Sequence, residues 1–153
     1  MLGLVVFLAL CFAAAGLGWF WSDAGLAEWY PKLRKPGWTP STRVFGLVWA
    51  VLYLTMAAAG WLIWRRRGLP GSRLALVLFA VQLGLNAVWT GLFFTLRNPG
   101  LAFGEISLLW LAIVGALMAF WRISRIAAIL MTPYLLWVSF VAILNLLIWM
   151  MNA

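Results

Sequence analysis

Five nearly uninterrupted apolar runs divide this 153-residue chain, at about 2–21, 43–64, 73–96, 101–121 and 126–151. Each is long enough to carry an α-helix across the roughly 30 Å of hydrocarbon in a bilayer, at about 1.5 Å per residue. Because 67% of the residues are hydrophobic and 9% charged, the chain lies far outside the range of a soluble domain. The expected fold is an all-α membrane protein, a bundle of five transmembrane helices forming a single domain over 1–153. Little chain is left over for a separate soluble catalytic domain.

A net charge of +8 would suggest nucleic acid as a partner of a soluble protein. Here the cations fall in short segments between apolar runs, where they act as topology and headgroup signals, so the expected partners are membrane lipids. Arg65, Arg66, Arg67, Arg73, Arg122 and Arg125 share the side of the N-terminus, and Lys32, Arg34, Lys35, Arg43 and Arg97 share the other. Six against five sets no orientation. Discounting the cations that belong to a folded loop favours a cytoplasmic N-terminus. A cleavable signal is the rival reading of the first run, but a basic n-region is lacking and the run is too long. Its small residues Ala9, Ala13, Ala14, Gly16 and Gly18 suit close helix packing instead.

The stretch between the first two runs, about 22–42, cannot lie in hydrocarbon. Within it, Trp29 to Pro40 holds three prolines, three cations and three aromatics. Proline fixes φ and removes a backbone donor, so the segment is built to hold a shape, that of a lid. A short helix is expected within Ala24 to Leu33.

Helical periodicity then shows what a lid would cover. Gly46, Trp49, Tyr53, Met56 and Gly60 share one face of the second span. Gln82, Asn86, Trp89, Thr90 and Phe93 form a stripe on the third, and Trp137, Phe140, Leu144 and Asn145 form one on the fifth. Uncharged amides in hydrocarbon need partners, so these stripes face the bundle interior. Indole slabs with N–H donors facing one another would wall a pocket for a flat apolar ligand, with ordinary core packing as the alternative. Of the twelve tryptophans, Trp19, Trp21, Trp61, Trp64, Trp121 and Trp149 lie near span ends, where an interfacial belt belongs. Pro133 is expected to kink the last span or free a carbonyl one turn earlier.

Histidine is absent and Cys11 is the sole cysteine, so no metal site is expected. Acid pairs and Gly-rich phosphate loops are missing too, which argues against conventional acid–base or phosphoryl-transfer catalysis. Glu105 is the one acid in the later spans; it is a candidate functional acid, or a structural one paired with Arg97.

Trp29-Tyr30, Lys35-Pro36-Gly37-Trp38-Thr39-Pro40, Val48-Trp49, Gln82-Leu83-Gly84-Leu85-Asn86 with Trp89, and Pro133-Tyr134-Leu135-Leu136-Trp137 with Leu144-Asn145 together resemble the tryptophan-rich sensory protein/translocator protein (TspO/MBR) family. The resemblance runs in the family's order from about Trp29 to Trp149. It implies a five-helix bundle, usually a homodimer, whose first loop closes a pocket for porphyrins and, in animal members, for cholesterol-related and benzodiazepine-type ligands. It also implies a role in tetrapyrrole regulation or stress sensing in a bacterial cell membrane.

By position, Trp49, Asn86 and Trp137 would line the pocket, with Trp29, Tyr30, Trp38 and Pro40 from the loop; the stripes add Tyr53, Trp89, Phe93, Phe140 and Asn145. Arg34, Lys35 and Arg43 are placed to meet the carboxylate edge of a porphyrin. Trp49 and Trp137 match the pair that would act if the protein degraded porphyrin in light, an enzymatic alternative. A small proton-coupled exporter using Glu105 is a second alternative. The family's sterol motif does not carry over, since Leu146 and Met150 stand at its tyrosine and basic positions. Without histidine to ligate iron, metal-free porphyrin is the expected ligand and no cofactor is required.

Overall fold

A computed structural model describes residues 2–153, the side chain of Ala24 excepted. Its helices are α1 (Leu2–Glu28), α2 (Thr42–Trp64), α3 (Ser72–Thr90), α4 (Pro99–Ile123) and α5 (Arg125–Asn152). A single 3-10 turn (Tyr30–Lys32) lies between α1 and α2, and a π-helical turn (Gly91–Thr95) extends α3. All five long helices are apolar and long enough to cross a membrane, and the chain is an integral membrane protein.

Local chemistry sets the helix ends. The Ser41 and Ser124 hydroxyls accept from the third amide beyond them, capping α2 and α5. Asn98 does the same for α4, with Pro99 at its first position, and Arg97 takes a left-handed φ of 52° to make the turn. Pro133 lies within α5, which continues past it; beside it the Thr132 hydroxyl donates back to the Ala128 carbonyl at 3.1 Å.

One boundary differs from expectation. The first helix does not end near Trp21 but runs to Glu28, and the short helix expected within Ala24 to Leu33 is its last turn plus the 3-10 turn. Ala, Leu and Glu favour helix here, and the Ser22 hydroxyl turns back to the Trp19 carbonyl at 2.9 Å, so polarity does not end it. Gly25 permits the extension. A Cβ at that position would run into the Phe94 carbonyl oxygen, so only glycine lets α1 seat on the backbone of the π turn. The Thr95 hydroxyl, donating to the Trp21 carbonyl at 2.6 Å, holds the same junction.

The helices close a ring in which α1 packs on α2, α2 on α5, α5 on α4, α4 on α3 and α3 on α1. At the N-terminal end of α1 the interior is filled. Phe7 packs edge-on to Phe79, which stacks on Phe120, and Gly60 fits where a Cβ would strike the Phe7 ring at 2.7 Å. The loop end is built differently.

Candidate functional site

In the loop half of the ring, α1, α2, α3 and α5 stand apart around a cavity of ≈ 450 Å³. That volume lies within the range of about 300–1,000 Å³ usual for small-molecule sites. Phe45, Trp49 and Tyr53 of α2 form one wall, and Trp89 with Phe93 and Phe94 of the π turn form another. The π turn places Phe93 and Phe94 next to each other in the lining, where Trp89 stacks on Phe93 at 5.4 Å. Val141, Leu144, Asn145 and Ile148 supply the α5 side, while α4 adds nothing to the lining.

Behind the aromatic wall lies a buried polar chain. Tyr53 donates to Asn86 Oδ1 at 2.8 Å, and Asn86 Nδ2 donates to the Tyr134 hydroxyl at 2.9 Å, tying α2, α3 and α5 together. Asn145 plays the same part nearer the loop: its Oδ1 accepts from Trp89 Nε1 at 3.0 Å, and its Nδ2 donates to the Pro99 carbonyl at 2.7 Å. Each amide lines the cavity while one donor and one acceptor position are committed to the bundle.

The loop closes one end. Tyr30 packs on Phe93 and Phe94, Trp29 on Phe93, and Tyr30 and Pro40 both line the cavity. Above them a shallower hollow shares Leu26, Tyr30, Pro40 and Thr42 with the cavity and adds Lys35. The Lys35 ammonium donates to the Tyr30 carbonyl at 2.6 Å and lies 4.5 Å from the centre of its ring. Partial burial pushes this ammonium below the usual lysine range and the Tyr30 phenol above the usual tyrosine range. The Asn152 side chain clasps the loop at the end of α5, accepting from the Arg34 amide at 3.0 Å and donating to its carbonyl at 2.9 Å.

Several residues expected in the pocket stand outside its lining. Trp137 lies behind Phe45, ring centres 5.2 Å apart, and stacks on Phe140, against which Trp38 packs at 5.5 Å. These three form a second aromatic layer on the outer side of the α2–α5 contact, and Trp29 backs Phe93 in the same way. Arg34 and Arg43 line neither hollow.

Glu105 does not pair with Arg97. Arg97 reaches Glu28 at 3.5 Å instead, an exposed contact, because the longer α1 brings Glu28 to the turn before α4. Glu105, like Gln82 and the Trp137 indole, is buried without a hydrogen-bond partner among the described residues, on a helix that does not touch the cavity.

Periodicity on α2, α3 and α5 does not reveal the contribution of α1. Phe12, Ala15, Gly16, Gly18, Trp19, Ser22 and Leu26 complete the lining. The small-residue stripe assigned to helix packing divides: Gly18 meets Thr90, but Gly16 has open space where a Cβ would stand, as does Gly46 on α2. Phe12, Gly16, Trp19, Thr42, Gly46 and Ala50 are both exposed and part of the lining. The cavity therefore opens sideways between α1 and α2 towards lipid.

The fold and site define a class: a small integral membrane bundle with an internal, aromatic-walled cavity under a shaped loop. Residues 7–150 match the TspO/MBR family, and the chain belongs to that family. It is 35% identical to the tryptophan-rich protein TspO of Chlorobaculum tepidum over 156 aligned positions, covering 99% of this chain and 97% of that one. It is 36% identical to the tryptophan-rich sensory protein of Cereibacter sphaeroides, covering 92% and 85% respectively. The human translocator protein is 36% identical over 82% of this chain and 75% of its own.

Proposed function

We propose that the protein is a membrane receptor or carrier that takes a flat, apolar ligand of the porphyrin type into the cavity beneath the loop, with a role in tetrapyrrole regulation or stress sensing. The observation that carries this reading is the cavity itself, ≈ 450 Å³ with walls of Phe45, Trp49, Tyr53, Trp89 and Phe93. Aromatic walls favour a rigid conjugated plane, and few of the lining groups are polar. Lys35, in the hollow that adjoins the cavity mouth, is the cation best placed for a ligand carboxylate. Relatives named as sensory and translocator proteins support a receptor or carrier role. The lateral opening suits a ligand that partitions into lipid. A bacterial cell membrane, a cytoplasmic N-terminus and a homodimer complete the proposal.

Titration of the purified protein with metal-free protoporphyrin tests it. Indole fluorescence should quench saturably, and Trp49→Phe, which alters the wall, should weaken binding more than Trp137→Phe, which lies behind it. Non-saturable quenching in the wild type would remove the cavity from consideration.

A further inference from the structure

The end of the bundle opposite the loop has a chemistry that the cavity does not use. Arg65, Arg66, Arg67, Arg73, Arg122 and Arg125 all lie there and all are exposed. Among the described residues no carboxylate shares that end, since Asp23 and Glu28 close α1 on the loop side and Glu105 lies early in α4. The loop face differs, because Asp23 and Glu28 share it with its cations and Glu28 pairs with Arg97.

The arginines are also arranged. Arg65 lies over the Trp61 ring at 5.0 Å, Arg67 over Trp64 at 4.1 Å and Arg125 over Trp121 at 6.0 Å. A guanidinium lying over an indole keeps N–H groups for other acceptors, and those groups match the oxygens of a phosphate; Arg67 spends one of them, its Nη1 donating to the Trp64 carbonyl at 3.5 Å. Indoles sit at headgroup depth, so a cation just beyond them stands at the level of the phosphates. Arg66 serves another purpose, donating to the Ile123 carbonyl and drawing the end of α2 against the α4–α5 link that carries Arg122 and Arg125. The Ser72 hydroxyl holds the neighbouring turn through the Arg67 and Leu69 carbonyls at 2.7 and 2.8 Å. Below the arginines, Leu74, Met118, Ile126 and Ile129 offer exposed apolar surface for acyl chains.

We propose that this face is a collar for anionic diacyl phospholipid, whose phosphates are met around the rim by the guanidiniums that lie over indoles, Arg65, Arg67 and Arg125. Free phosphate shares the headgroup chemistry, so the test separates the two sources.

Protein in mild detergent is offered equal amounts of phosphatidylglycerol and phosphatidylcholine, and retained lipid is read by native mass spectrometry. The wild type should retain the anionic lipid in about tenfold excess or more. The Arg65→Gln, Arg67→Gln, Arg125→Gln variant should bring the ratio near unity, whereas Lys32→Gln, Arg34→Gln, Arg43→Gln on the loop face should leave it unchanged. An unchanged ratio in the first variant, or equal loss in both, overturns the collar. Displacement of bound lipid by millimolar inorganic phosphate would assign the site to free phosphate and overturn the lipid assignment; undisturbed retention supports it. Arg66 is left intact because it joins α2 to α4. Should the glutamine variant unfold, the same three positions as lysine keep the charge and lose the planar fork. The ratio should then fall several-fold, and an unchanged ratio contradicts the role of these guanidiniums.

Discussion

Asn86 is the residue on which three helices depend, because one amide satisfies the phenols of Tyr53 and Tyr134, which have no other side-chain partner among the described residues. Side-chain hydrogen bonds within membranes average only about 0.6 kcal/mol. A buried polar group left without a partner costs more, about 1–3 kcal/mol. Tyr53→Phe strands one group, Asn86 Oδ1, on a side chain that lines the cavity; Asn86→Ala strands both phenols. Asn86→Ala should therefore destabilise the bundle by about 1–3 kcal/mol, and Tyr53→Phe by the lower end of that range, about 1 kcal/mol. Adding Tyr134→Phe to Asn86→Ala should restore part of the loss, since it deletes an orphaned hydroxyl. Reversible unfolding in detergent measures these proteins together with Tyr134→Phe alone, and strictly additive losses would contradict the shared network. That Asn86 faces inward was legible from its spacing to Gln82 and Trp89. Its partners were not, because periodicity assigns a side chain to a face and says nothing of which residue on another helix meets it.

At the scale of the element, the first helix and the loop were the least legible parts. Polar Ser22, Asp23 and Glu28 marked the end of the apolar run, which is the limit of the hydrocarbon. The helix itself continues, because hydrogen bonding within a helix needs no apolar surroundings and Gly25 admits the Phe94 backbone. The π turn was likewise unreadable, since it falls at the end of the span, where too few residues follow to show a shift in the phase of the stripe. Gly25→Ala should cost about 1–3 kcal/mol, the range for overpacking against a site that cannot shift, because backbone is what the new methyl meets. Gly16→Ala enters open space and should be neutral or stabilising by up to about 1 kcal/mol, as alanine favours helix. Thermal unfolding of the two variants side by side checks the prediction, and equal effects would mean that α1 is not seated as described.

Across the whole molecule, the five apolar runs identified the bundle, and four of the five helices fall within a few residues of the expected spans. The order of the helices around the ring was not legible, and it decides which aromatics wall the cavity. With α2 against α5, Phe45 stands between Trp137 and the cavity, and α1 completes the side nearest lipid. The two ends then differ in kind: Phe7, Phe79 and Phe120 fill one, while at the other the loop, pinned by Asn152, lies over the aromatic-walled cavity. The central claim is that this cavity is where ligand binds. Gly46→Trp tests it most directly, because the position lines the cavity and has open space where a Cβ would stand. Titrated with metal-free protoporphyrin, this variant should keep its helical content and unfolding temperature and lose about tenfold or more in affinity, its indole occupying much of the site. A folded Gly46→Trp protein that binds as tightly as the wild type would contradict the account.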